Sequence, residues 1–119
     1  MLVADMRAQP VNPLIAISTV LIRNRPAPFE LNAASPNPFN PQTQITYELP
    51  DQAHVKLIVY NLLGQEIIRL VDQVQPAGPY IVRWNGHNTR GASVASGVYI
   101  YRLTTDSGFQ AARRVTLVK

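Results

Sequence analysis

Along most of this chain, apolar and polar residues trade places over short runs that end at turn residues. Gln44-Ile45-Thr46-Tyr47-Glu48-Leu49 alternates with a period of two and stops at Pro50-Asp51. Val55, Leu57 and Val59 alternate with Lys56, Ile58 and Tyr60. Asn61-Leu62-Leu63-Gly64 then reads as a turn, because glycine reaches positive φ without strain. A third strand is predicted over Glu66–Val71, closed by Pro76-Ala77-Gly78-Pro79. Tyr80, Val82 and Trp84 alternate with Ile81, Arg83 and Asn85 as in a half-buried strand. A polar loop, Asn85 to Gly91, separates this from Val98–Thr104, where Tyr99, Tyr101 and Leu103 share a face opposite Arg102. Asp106-Ser107-Gly108 signals a tight turn into a last strand over Phe109–Val118.

No window carries a 3.6-residue period. At least six strands at hairpin spacing predict an all-β chain: an Ig-like antiparallel β-sandwich of about seven strands, with a small closed barrel as the competing architecture. Trp84 is the largest candidate for the core, and its indole N–H then needs a backbone acceptor.

Residues 1–30 differ. Pro10, Pro13, Pro26 and Pro28 bracket one apolar run, Leu14 to Ile22. Leu14, Ile15, Ile17, Val20, Leu21 and Ile22 place large aliphatic groups on both faces of an extended strand, as expected for a strand covered on both sides. The expected division is an N-terminal extension over 1–30 and an Ig-like domain over 31–119.

Composition narrows the function classes. At 119 residues the chain has the length of one domain, with 46% hydrophobic and only 15% charged residues. Cysteine is absent, which excludes a disulfide framework, a thiolate metal site and a cysteine nucleophile. The net charge of +4 is scattered, with no basic stripe carrying interleaved aromatics, so nucleic acid is not an expected partner. An anionic envelope polysaccharide suits that charge better. The nine-residue run from Leu14 to Ile22 falls short of the ~20 residues of a membrane-spanning helix, so no transmembrane segment is expected. The same run makes a poor signal peptide, since Asp5 lies in its would-be basic region and no small-x-small cleavage site follows. If the protein is exported, the signal is expected upstream.

Catalytic constellations are not expected. His54 and His87 have no carboxylate set beside them, and Glu48 and Asp51 flank a strand end as solvated turn residues. No nucleophile elbow and no phosphate-binding glycine loop occurs. Asn85–Gly91 offers amide oxygens but no carboxylate, so an Asx-stabilised turn is preferred over a calcium loop. The tyrosines and Trp84 are read as core and cross-strand packing rather than a sugar platform. No enzyme activity, cofactor or metal site is predicted.

Pro36-Asn37-Pro38-Phe39-Asn40-Pro41 is the most unusual stretch. Alternating prolines fix φ, push their neighbours to extended geometry and remove donors, while Phe39 supplies an apolar anchor. This predicts a stiff lead-in loop pinned to the sandwich, orienting whatever precedes it.

From these residues onward the chain resembles a known family. Ser35-Pro36-Asn37-Pro38-Phe39-Asn40-Pro41 is similar to the opening of the type A C-terminal sorting domain of type IX secretion cargo. Ile45–Pro50, Val55–Glu66, Pro76-Ala77-Gly78, Val82–Gly86, Val94–Leu103 and Arg113–Lys119 follow in that family's order. The domain is also similar to the Ig-like domain of flagellar hook-capping proteins. The resemblance implies a non-catalytic module that directs cargo through the secretion machinery to the outer surface of a Gram-negative-type bacterium. There a sortase-like peptidase removes it, before Ser35 in this chain, and joins the cargo to lipopolysaccharide. It further implies recognition through Gly97, Val98, Tyr99, Tyr101, Arg113, Arg114 and Lys119. One departure is Asn88, where relatives often carry an acid.

With only 30 residues ahead of the domain, the alternative expectation is a structural subunit of an extracellular filament. Residues 11–25 then serve as a donor strand for a neighbouring copy. Packing on their own domain, or being the remnant of a preceding one, are the other fates open to them.

Overall fold

The computed structural model describes residues 29–119. The apolar segment Leu14–Ile22 and its six candidate residues lie outside that range. Seven strands follow in order: β1 (Glu30–Leu31), β2 (Thr43–Leu49), β3 (Ala53–Tyr60), β4 (Glu66–Gln75), β5 (Gly78–Trp84), β6 (Gly97–Thr105) and β7 (Gln110–Leu117). They form a three-stranded sheet, β1-β2-β5, and a four-stranded sheet, β4-β3-β6-β7, with every strand pair antiparallel. The fold is an Ig-like β-sandwich.

The period-two pattern sets which face of each strand is buried. In β2, Thr43, Ile45, Tyr47 and Leu49 point inward. Val55, Leu57 and Val59 of β3 meet them, with Tyr99, Tyr101 and Leu103 of β6 and Val115 and Leu117 of β7. Trp84 is 1% exposed and sits between Phe39 and Tyr99, with ring centroids 5.3 Å away on either side. Its indole N–H donates to the carbonyl of His87 at 3.0 Å, so burying the ring strands no donor. Tyr47 is buried and stacks on Tyr80, and its hydroxyl donates to Oε1 of the buried Gln75 at 2.5 Å. Burial pushes the Tyr47 hydroxyl up to about 12.

Two strands differ from expectation. β4 continues four residues beyond Val71, to Gln75, and shifts register against β3 between Leu57 and Ile58 and between Val59 and Tyr60. Both shifts lie in the first half of β4, whereas Val71–Gln75 pairs regularly but with exposed Asp72, Gln73 and Val74 and a polar Gln75 as its buried end, so it shows no apolar alternation. β1 has only two residues, too few to show a period. His54 lies within β3, one residue ahead of the alternation that starts at Val55.

Candidate functional site: the C-terminal hairpin and its clamp

The chain ahead of β2 changes sheets. At Glu30–Ser35 it runs along β2. Glu30 and Leu31 pair with Glu48 and Tyr47, and Ser35 exchanges backbone hydrogen bonds with Gln44 at 3.0 and 2.9 Å. It then crosses to the other sheet through Pro36 and Pro38 and lies parallel to β7. The Phe39 amide donates to the Thr116 carbonyl at 2.9 Å, and the Val118 amide donates to the Phe39 carbonyl at 3.0 Å. Proline suits the crossing because no ladder partner is lost where the chain leaves one sheet for the other. Thr43, fully buried, donates from its hydroxyl to the Pro36 carbonyl at 2.7 Å.

Asn37 completes the contact with β7. Its Oδ1 accepts from the Thr116 amide at 3.0 Å, and its Nδ2 donates to the Arg114 carbonyl at 3.4 Å. Phe39 is 2% exposed and packs against Trp84. Gly86 lies beneath, with φ +76°. A Cβ there would meet Leu117 at 3.3 Å and Phe39 at 3.9 Å, so glycine serves both the backbone turn and the close approach. Pro36–Pro41 is thus pinned to the sandwich as a clamp over the outer edge of β7.

The seven candidate recognition residues divide by direction. Tyr99 and Tyr101 face the core. Their hydroxyls donate to the Ala95 and Asn32 carbonyls at 2.6 Å, and desolvation raises the pKa of both. Arg113 is paired with Tyr101, which places it on the inner face at the sheet's edge. Its Nε donates to the Leu31 carbonyl at 2.6 Å, tying β7 to β1 across the sandwich. Val98 and Arg114 stand on the outer face, and Gly97 opens β6 opposite Leu117. Lys119 is held against the loop before β6, with its amide on Ser96 at 3.0 Å and Nζ on Ser93 at 2.5 Å. A partner of the folded domain therefore meets Val98, Arg114 and Lys119, while the two tyrosines and Arg113 hold the hairpin's shape.

The loop after β5 closes on its own amides. Asn88 Oδ1 accepts from the Arg90 and Ala92 amides at 3.0 Å, and Asn85 Oδ1 accepts from the His87 amide at 3.2 Å. Those amide oxygens are occupied by Asx turns, as preferred from sequence. Among the described residues no three His, Asp or Glu side chains gather as a metal site, and no helix is long and apolar enough to cross a membrane.

The fold supplies one constellation that the spacing did not show. His54 Nε2 lies 2.6 Å from Asp72 Oδ1 across β3 and β4, and the His54 amide donates to Asp106 at 3.0 Å. Asp72 Oδ2 also accepts from Arg69 at 2.8 Å, and Arg69 reaches Glu66 at 3.1 Å. Hydrogen bonds from Arg69 first, then His54, hold the Asp72 carboxyl below its ordinary value. With Asp72 shared between the Arg69 guanidinium and the His54 ring, the group is a surface charge cluster on an exposed strand.

The FlgD Ig-like domain model matches residues 33–108, well over half of the chain. The chain belongs to the FlgD Ig-like domain family. Three solved structures resemble this FlgD-type domain. Dimeric latent PorU from Porphyromonas gingivalis aligns with TM-score 0.61 and 19% identity, over 77% of this chain and 10% of that one. PorZ from the same organism, described as an essential bacterial surface component of the type-IX secretion system, aligns with TM-score 0.52 and 20% identity, over 73% and 11%. FLGD from P. aeruginosa aligns with TM-score 0.50 and 23% identity, over 63% and 59%. The domain thus spans about a tenth of the two Porphyromonas proteins and less than two thirds of the third. No curated protein matches the chain.

Proposed function

We propose that this domain is the C-terminal sorting and surface-attachment module of a type IX-secreted protein, and that it acts without catalysis. On this reading residues 31–119 are the sorting unit, and their partners are the secretion machinery and an anionic envelope polysaccharide. The protein is carried to the outer surface of a Gram-negative-type bacterium. The observation that supports it is the clamp. The Pro36–Pro41 loop, whose motif resembles the opening of sorting domains, docks on β7, the strand that contains the proposed recognition tail. The Ig-like likeness to PorZ agrees with that setting. Val98, Arg114 and Lys119 form the exposed part of the recognition surface.

The test is a periplasmic reporter fused ahead of the full chain in a bacterium with type IX secretion, scored by protease access at the cell surface. Surface delivery that is lost on removing Arg113–Lys119 supports the proposal. A reporter that stays periplasmic with the intact domain refutes it.

A second reading is favoured by one feature. Among the described residues β5 pairs only with β2, which leaves Gly78–Trp84 with an open backbone edge. Residues 11–25 of a neighbouring copy would add there as a donor strand, building a filament. Negative-stain microscopy of the full chain and of a chain starting at Phe29 decides this. Filaments from the full chain alone support it, and monomers from both refute it.

A further inference from the structure

The sandwich's two outer faces carry like-charge pairs of opposite sign. On the four-stranded sheet, Tyr60, Ile100 and Arg114 share one row, Ile58, Arg102 and Ala112 the next, and Lys56, Thr104 and Gln110 the third. Arg102 and Arg114 are therefore diagonal neighbours on β6 and β7, about 7–8 Å apart in such a ladder. The small Ala112 beside Arg102 leaves a hollow of about 390 Å³, bounded by Tyr60, Leu62, Ile100 and Arg102. Leu62, which lines it, is 65% exposed, and the adjacent Leu63 is 84% exposed. Asn61 locks that turn, since its Oδ1 accepts from both the Leu63 and Gln65 amides, at 2.9 and 3.0 Å. Lys56 stands opposite Asp72 of β4, whereas Arg102 and Arg114 lie two and three strands from that carboxylate and have no carboxylate partner among the described residues.

The three-stranded sheet shows the converse. Glu30 and Glu48 are directly opposed in the β1–β2 register and face outward, since Leu31 and Tyr47 face inward. Like charges so placed destabilise their own sheet. Ile81 stands beside them, 64% exposed, in the row formed with Thr46. Arg83, the one cation of this sheet's outer face, is two rows from Glu48, opposite Gln44.

We infer that these faces bind each other between copies of the chain. The Glu30–Glu48–Ile81 face of one copy seats on the Arg102–Arg114 face and its apolar hollow on the next. Each like-charge pair gains the counter-charge that its own sheet withholds, and Ile81 gains an apolar seat. The contact joins two different surfaces, so it is head-to-tail and does not close on itself. It requires nothing from residues 11–25. At strand spacings of about 4.8 Å and rises of about 3.3 Å per residue, the shared area is roughly 400 Å² per copy. That is about half of a standard interface, so the association is weak and salt-sensitive.

Sedimentation velocity of the full chain, up to about 500 μM in about 20 mM salt, reads this directly. The weight-average sedimentation coefficient should rise with concentration and fall back to the monomer value at about 500 mM salt. The reversed pairs Arg102→Glu with Arg114→Glu, and Glu30→Arg with Glu48→Arg, should each abolish the rise. Circular dichroism confirms that each variant is folded. Mixing the two variants should restore the rise, because each face of one then meets a face of opposite charge on the other, and combining all four changes in one chain should restore self-association. A chain that stays monomeric at low salt overturns the inference. So does association that survives both reversals, and if it also disappears in a chain starting at Phe29 it belongs to the N-terminal segment.

Discussion

The sandwich treats its strand edges unequally. The edge of β7 is closed by the chain's own leading loop, which supplies backbone hydrogen bonds at Phe39 and side-chain ones at Asn37. The edge of β5 has no partner among the described residues beyond β2. Pro79, which lacks an N–H, is its one built-in guard, and Ile81 is 64% exposed beside it. The outer edge of β4 is intermediate, with Thr89 bonded to the Ile67 carbonyl and the charges of Glu66, Arg69 and Asp72 along it. The difference indicates where partners approach. A partner of the C-terminal hairpin meets a face carrying Val98 and Arg114, whereas a partner of β5 can add a strand.

Breaking the closed edge should have the largest effect. Phe39→Ala removes a buried ring from against Trp84 and should cost about 3–5 kcal/mol, read from urea unfolding. Gly86→Ala attacks the same place from below. Its positive φ alone should cost about 1–2 kcal/mol, and the 3.3 Å approach to Leu117 adds to that in the same assay. Asn37→Ala leaves the Thr116 amide without its acceptor at an exposed site and should cost about 1 kcal/mol, with faster amide exchange confined to the end of β7. Ile81→Lys, on the open edge, should change stability by less than about 0.5 kcal/mol while slowing aggregation followed by light scattering.

The charged edge should respond to pH by the least. The pKa of Asp72 is depressed, so its contribution is complete above the unfolded carboxylate value of about 3.9 and is lost as pH falls through the lower folded value. Asp72→Asn should flatten that acid limb in urea midpoints measured between about pH 5 and 2.

Most of the architecture was legible because each long strand buries one face. The alternation over Gln44–Leu49 and Tyr80–Trp84 marked β2 and β5, and Tyr99, Tyr101 and Leu103 were correctly placed together on one face of β6. The second half of β4 was not legible because Asp72, Gln73 and Gln75 leave it without an apolar alternation, its buried end being the polar Gln75. The pinning of Phe39 could be read from the proline spacing. The role of Asn37 could not, since its bond to Thr116 spans 79 residues. Arg113 likewise reads as a surface cation in the sequence, yet its guanidinium joins the two sheets at Leu31. The His54–Asp72 pair arises from the β3–β4 register, 18 residues apart, so no local spacing announces it. Tyr99 and Tyr101 were grouped with the recognition residues through a family motif, whereas their burial gives them a structural part.

The central claim is that residues 37–39 close the edge of β7 and hold the C-terminal hairpin as a fixed surface. Residue-resolved amide hydrogen exchange on the folded chain tests it most directly, at Phe39, Thr116 and Val118. The account predicts that all three exchange as slowly as the inner ladder of β3 and β6, and much faster in Asn37→Ala at Thr116 alone. Exchange at these three amides as fast as in the Asp106–Gly108 turn would show the edge to be open and contradict the account.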